Sequence, residues 1–170
     1  MVILIAGGTH TGKTVLAQKL LEEYHYPYLS VDHLKMGLIR SGYCVLTAES
    51  SAAELTRTLW PIVREMVKTA VENRQNLIVE GCYIPFAYQA DFPPAYLREI
   101  RYICLILSET YIRTHFAEIR KHAGAIEHRV DDAGLSEALL MKENRENLRQ
   151  CKAHGLRYAL DDDRFILPVW

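Results

Sequence analysis

The residues best suited to chemistry stand near the start of the chain, in Gly7-Gly8-Thr9-His10-Thr11-Gly12-Lys13-Thr14. They fit the spacing G-x-x-x-x-G-K-[ST], which reads as a loop that cradles nucleotide phosphates. Glycine lets the backbone turn tightly and aim its N–H groups inward at phosphate oxygens. An apolar run precedes the loop and helical spacing follows it. The loop would therefore sit at a helix N-terminus, whose positive end faces the same anion. Lys13 can reach the outer phosphates of ATP or GTP, and the Thr14 hydroxyl can ligate Mg²⁺. His10 is expected to contribute its backbone N–H rather than its ring. The alternative is a chance glycine turn, and the strand–loop–helix context counts against it.

Further polar residues fall just after apolar runs. Asp32 follows Tyr26–Val31 directly. A carboxylate there can orient a hydroxyl and take its proton, or simply cap the next helix. Lys35 and Arg40, on or just after that helix, can hold an anionic group. Glu80 ends Asn76–Glu80, ahead of Gly81. Its oxygens suit the shell of Mg²⁺, directly or through water, and the bland alternative is an acid facing solvent. Residues 113–132 carry Arg113, Arg120, Lys121 and Arg129, with His115, His122 and His128 among them. Arginine is the natural clamp for charge on a transferring phosphoryl group. Arg113 and Arg120 are seven apart on an expected helix, which predicts a shared face. A solvated charged helix is the other reading. Zinc is not expected, because the histidines lack clear ligand spacing.

These residues need a scaffold, and the chain supplies one. Val2–Ala6, Tyr26–Val31, Asn76–Glu80, Ile100–Leu107 and Tyr158–Leu160 read as strands, with Phe165–Val169 a further candidate. Helices are expected over Thr14–Tyr24, from Asp32 to near Gly42, from about Ala52 to Asn73, over Glu109 to about His122, and over Leu135–Ala153. Pro61 should kink the third of these or restart it. Strands alternating with helices imply an α/β fold, a parallel sheet covered on both faces. Ligands of such sheets bind beyond the carboxyl ends of the strands, where the polar residues above cluster. Tyr83, Phe86, Tyr88 and Phe92 can wall a pocket or fill a core. Trp60 and Trp170 read as packing or surface residues.

The loop and this element order resemble the P-loop kinases: nucleoside monophosphate, shikimate and gluconate kinases, chloramphenicol phosphotransferase, and proteins called 2-phosphoglycerate or nucleotide kinases. The resemblance implies a three-layer P-loop NTPase fold, with a five-stranded, mainly parallel sheet and a helical lid. It spans residues 1–170 as one domain, with the lid over about 113–132. It also implies ATP and Mg²⁺, with the nucleotide held by Gly7, Gly8, Thr9, His10, Thr11, Gly12, Lys13, Thr14 and Arg113. Lys13, Asp32, Arg120 and Arg129 would be catalytic. Asp32, Lys35, Arg40, Glu80, Gly81 and Tyr83 would face the acceptor, and Thr14 and Glu80 the metal. Arg129-Val130-Asp131-Asp132 resembles the lid of nucleoside monophosphate kinases. Those kinases also grip the acceptor phosphate with an arginine after the third strand. Here that stretch reads Gly81-Cys82-Tyr83-Ile84-Pro85-Phe86, without one. The departure points away from a nucleotide acceptor. By analogy, Asp161-Asp162-Asp163-Arg164 is a candidate for the base.

Bulk properties bound the rest. The chain has 170 residues, one domain's worth, and its net charge of -1 argues against a nucleic-acid footprint. Its apolar start is too short for a membrane span. Cys44, Cys82, Cys104 and Cys151 form no C-x-x-C pair. They are expected to be buried free thiols in a reducing cytoplasm. The leading expectation is a phosphotransferase moving the ATP γ-phosphoryl group to a small molecule. The alternatives are a nucleotide-binding regulator or weak NTPase, and a kinase acting on RNA ends. No N-K-x-D guanine signature follows the fourth strand, which weighs against a switch GTPase.

Overall fold

The computed structural model describes residues 1–122 and 135–161. Five strands form one sheet in the spatial order β2-β3-β1-β4-β5. They are β1 (Val2–Gly7), β2 (Tyr28–Ser30), β3 (Leu77–Glu80), β4 (Ile100–Leu107) and β5 (Tyr158–Asp161). Every pairing is parallel. The helices are α1 (Lys13–Tyr24), α2 (Val31–Arg40), α3 (Ala52–Glu72), the single turn α4 (Pro94–Leu97), α5 (Glu109–His122) and α6 (Glu137–Ala153). The candidate strand 165–169 lies outside the described residues.

A parallel sheet must bury both faces, and alternation along the strands does so here. Val2, Leu4 and Ala6 face one way, with Val79, Cys104 and Ile106, against Leu55, Leu59, Val63 and Val67 of α3. Ile3 and Ile5 face the other way, with Ile78, Ile103 and Leu105, against Leu16, Ala17 and Leu20 of α1. Leu4, Leu16, Val67 and Val79 are all fully buried. Each such side chain contributes roughly 1.5–3 kcal/mol of transfer free energy. A third cluster of Leu107, Ile112, Ile119 and Leu140 ties α5 and α6 to the carboxyl end of β4. The chain leaves β1 toward β2 on one side and later crosses to β4 on the other. That reversal opens a crevice beyond the ends of β1 and β3.

Several sequence expectations are corrected. The α3 helix runs through Pro61 as one element, so it does not restart there. Pro61 lies on the exposed side, where water can serve the carbonyl it leaves without a partner. A capping box fixes the start of α3: Glu54 N–H donates to Ser51 Oγ at 3.3 Å, and Ser51 N–H to Glu54 Oε2 at 3.0 Å. Asp32 does not cap α2. Ser30 holds the N-cap position, and Asp32 lies inside the first turn. In α5 the backbone leaves helical geometry at His115 (φ -120°, ψ 15°). The break separates Arg113 from Arg120, so their seven-residue spacing no longer defines one face. Tyr88 and Phe92 belong to the core. Tyr88 stacks on Tyr102 at 5.0 Å, and Trp60 meets Phe92 edge-on at 6.1 Å. Trp60 packs as expected, and its Nε1–H donates to Asp91 at 2.7 Å. Cys104 and Cys151 are buried, but Cys44 is half-buried and Cys82 exposed.

Candidate active site

The loop between β1 and α1 is closed by its own side chains. Gly7 has φ 144°, and a Cβ there would stand 2.6 Å from the Leu105 carbonyl oxygen and 2.7 Å from Thr11 Oγ1. Only glycine fits. Thr11 Oγ1 and Lys13 Nζ both donate to the Gly8 carbonyl, at 2.9 and 2.6 Å. Both side chains are buried. His10 has φ 59°, a left-handed conformation that costs roughly 1–2 kcal/mol outside glycine. Gly12, at φ 81°, leads into α1, whose first turn holds no acidic residue. The positive helix end and the Lys13 ammonium thus bear on one small volume. This is a seat for an anion.

Lys13 sits in a web of charge. Burial pulls its pKa down, and Cys82, Glu80 and Asp32 more than offset that, so the net shift is upward. Protein crowding pushes the Cys82 thiol up in turn. At neutral pH Cys82 is a thiol, so the carboxylates Glu80 and Asp32 supply the charge that keeps Lys13 an ammonium. Glu80 ends β3 in register with Ile5 and Ser30. At 1 % exposure it does not face solvent. A Cβ on Gly81 would press 2.7 Å from Val31 Cβ, so the glycine lets β3 close against the start of α2.

Asp32, Lys35 and Tyr83 form the next group outward. Lys35, one turn beyond Asp32, pairs with its carboxylate. The Lys35 ammonium also donates to the Tyr83 hydroxyl at 3.1 Å and lies 5.2 Å from the centre of that ring. Burial lowers the Lys35 pKa, and Asp32 and Tyr83 raise it further than burial lowers it. Burial also raises Tyr83, which keeps its phenol protonated.

The structure thus brings Lys13, Asp32, Lys35, Glu80, Gly81, Cys82 and Tyr83 together beside the loop. It leaves others outside. Arg40 is exposed at the far end of α2, about 7.5 Å further along the axis than Lys35 and on another side of the helix. Arg113 is exposed and pairs with Glu109 at 3.8 Å. Arg120 is exposed on α5. Arg129, Asp131 and Asp132 lie outside the described residues, as do residues 162–164, and with them much of the expected lid.

Two residues of α6 escaped the sequence reading. Glu143 Oε2 accepts the Thr9 N–H at 3.0 Å. Asn144 is buried, accepts the Leu107 N–H at 2.8 Å and donates to the Leu140 carbonyl at 2.9 Å. It fastens α6 to the end of β4. Asn144→Ala strands a buried N–H, at a cost of roughly 1–3 kcal/mol. Urea denaturation should show a lower midpoint at an unchanged slope. An unchanged midpoint would mean that water takes over the bond.

No family model and no curated protein sequence matches the chain. Solved structures do resemble it. A candidate kinase from Chloroflexus aurantiacus j-10-fl superposes with a TM-score of 0.57 at 18% identity, over 96% of this chain and 88% of that one. A deoxyadenosine kinase from M. mycoides, with dCMP and dCDP bound, gives 0.53 at 15%, over 95% and 90%. A gluconokinase from Sinorhizobium meliloti 1021 gives 0.52 at 16%, over 95% and 81%. The shared feature at these identities is the fold, an α/β architecture with a parallel sheet between layers of helices.

Proposed function

We propose that this chain, built on the fold of the P-loop kinases, is a phosphotransferase that moves the γ-phosphoryl group of ATP to a hydroxyl of a small-molecule acceptor. The observation that best supports this is the placement of two carboxylates beside the loop that holds the buried Lys13: Glu80, buried at the end of β3 in register with Ile5, and Asp32, in the first turn of α2 and paired with Lys35. A loop that only bound nucleotide would not need a second carboxylate on the acceptor side.

The roles follow from the chemistry. Loop amides and the α1 N-terminus hold the phosphates, and Lys13 offsets charge on the outer ones. Asp32 accepts the proton of the acceptor hydroxyl. As that oxygen bonds to phosphorus, the bond to the leaving phosphate oxygen breaks and ADP departs. Lys35 holds the Asp32 carboxylate turned, and Tyr83 fixes Lys35. The Thr14 hydroxyl and the Glu80 carboxylate are hard oxygen donors beside the anion seat, as Mg²⁺ requires, and the ion would neutralise charge on the phosphates. Arg113, Arg120 and Arg129 remain the proposed lid arginines. Lys35 spends its charge on Asp32, which favours an uncharged alcohol over a phosphate at the acceptor's reactive end. Among the described residues no helix is long and apolar enough to cross a membrane. Four free cysteines favour a reducing compartment such as the cytoplasm.

ADP release from ATP and Mg²⁺ tests the proposal across nucleoside monophosphates, nucleosides, sugar acids, phosphoglycerates, shikimate and aminoglycoside-like alcohols. One acceptor should raise turnover by about a hundredfold or more, as positioning and general-base effects allow. If none does while ATP still binds through Lys13, the chain is a nucleotide-binding regulator or weak NTPase and not a kinase.

A further inference from the structure

The phosphate loop already carries a carboxylate. Glu143 lies on α6, more than a hundred residues along the chain from the loop it touches, and its Oε2 accepts the Thr9 N–H at 3.0 Å. A Cβ on Gly8 would stand 2.8 Å from the same oxygen. The Gly8–Thr9 peptide therefore has an anion on its N–H and, on the Gly8 carbonyl, the Lys13 ammonium at 2.6 Å. Asn144, the next residue, is bonded into the end of β4, so the helix that presents Glu143 is fixed in place. The charge reaches further into the site, for it acts on Cys82, the neighbour of Lys13.

We propose that Glu143 is a specificity-determining residue for the nucleotide, whose charge opposes the outer phosphates and so narrows the preference for tri- over di- and monophosphates. The inference rests on the reading of this loop as a nucleotide seat. An incoming nucleotide either displaces the carboxylate from Thr9 or binds beside it against repulsion. Both routes weaken binding, and both weaken it more for each phosphate placed near the lip of the loop. Lys13 reaches the outer phosphates and shares a peptide group with Glu143, so the penalty falls chiefly on the γ position.

Calorimetric titration of ATP, ADP and AMP, without acceptor and at fixed salt, tests this in the whole protein. Glu143→Gln keeps an oxygen for the Thr9 N–H and removes only the charge. ATP should bind about tenfold tighter to that variant, ADP less so, and AMP almost unchanged. Glu143→Ala, which removes bond and charge together, should keep the same ordering, and thermal melts of both variants check that they fold. Equal gains for all three nucleotides would assign Glu143 a structural role and overturn the proposal. So would unchanged or weaker ATP binding. If the unmodified protein binds none of the three and Lys13→Ala behaves identically, the kinase reading itself falls, and this one with it.

Discussion

Lys13→Ala is expected to lower phosphoryl transfer by about a hundredfold to a thousandfold, the usual effect of removing one pre-placed group that stabilises transition-state charge. The loss has two sources. The outer phosphates lose their ammonium, and the Gly8 carbonyl loses the shorter of its two donors. Nucleotide affinity should fall too, because the cation acts on ground state and transition state alike. A pH profile sharpens the test. The folded Lys13 has a raised pKa, so its contribution to stability is fully present below the unfolded value of about 10.4. That contribution is lost only as pH rises through the folded value. Between pH 6 and 9 the Lys13 charge is therefore constant, and any change in rate across that window belongs to other groups. The variant also leaves Glu80 buried beside a missing cation. Its stability should fall below the parent's, because a buried carboxylate loses the cation beside it. Steady-state rates with the best acceptor and urea melts at pH 5 and 8 measure both effects. A variant that retains transfer within a few-fold would remove Lys13 from the chemistry.

The parts of the site legible in the sequence were those written locally. The loop needs glycines at fixed offsets because backbone must approach backbone, and Gly7 against Leu105 is that approach in space. Glu80 and Asp32 were legible because parallel strands end at one edge, and a polar residue closing an apolar run has nowhere else to point. The parallel sheet followed from the βα alternation, but the order of its strands, and so the crevice between β1 and β3, did not, because alternation leaves open which strands lie side by side. Lys35 reads in the sequence as a grip for an anionic acceptor, and its pairing with Asp32, which the one-turn spacing favours, was missed. Glu143 and Asn144 were illegible for the opposite reason. They sit among Lys142, Arg145, Glu146 and Asn147 on a charged helix, where composition cannot say which polar group turns inward. Only the packing of Leu140 against Leu107 and Ile112 selects the face that brings them to the loop. The aromatic stretch after β3 left pocket and core open, and packing decided for the core at Tyr88 and Phe92. Tyr88 and Phe92 reach Trp60 and Tyr102 across the sheet face, a contact that sequence distance hides. The break at His115 lay beyond periodicity too. There Tyr111 stacks on the His115 ring at 4.4 Å, and Nδ1 lies 3.2 Å from the Tyr111 carbonyl oxygen.

Asp32→Asn is expected to reduce kcat by about a hundredfold to ten-thousandfold, the range general-base catalysis covers, while the ATP dissociation constant stays within about twofold of the parent's. The split comes from position. Asp32 lies in the first turn of α2 beside Lys35 and Tyr83, on the acceptor side, and no loop hydrogen bond depends on it. Asparagine keeps an oxygen for the Lys35 ammonium but cannot take the acceptor's proton. The charge it removes from the helix start is worth about 0.3–1 kcal/mol, so the variant should melt close to the parent, and lost turnover cannot be put down to unfolding. Lys35 supplies an independent check. Asp32 raises the Lys35 pKa against the pull of burial. Without that charge, burial is opposed only by the hydrogen bonds to the asparagine oxygen and to Tyr83, so the Lys35 pKa should drop. The rise in pKa that Asp32 provides stabilises the fold at every pH below the unfolded lysine value. The stability gap between parent and variant should therefore persist through neutral pH and close in strong alkali, as pH rises through the folded Lys35 value. Turnover, ATP affinity and the pH dependence of unfolding together separate the two roles of Asp32. Normal turnover with a changed melt would leave it a structural partner of Lys35. Lost turnover with intact ATP binding would make it the base.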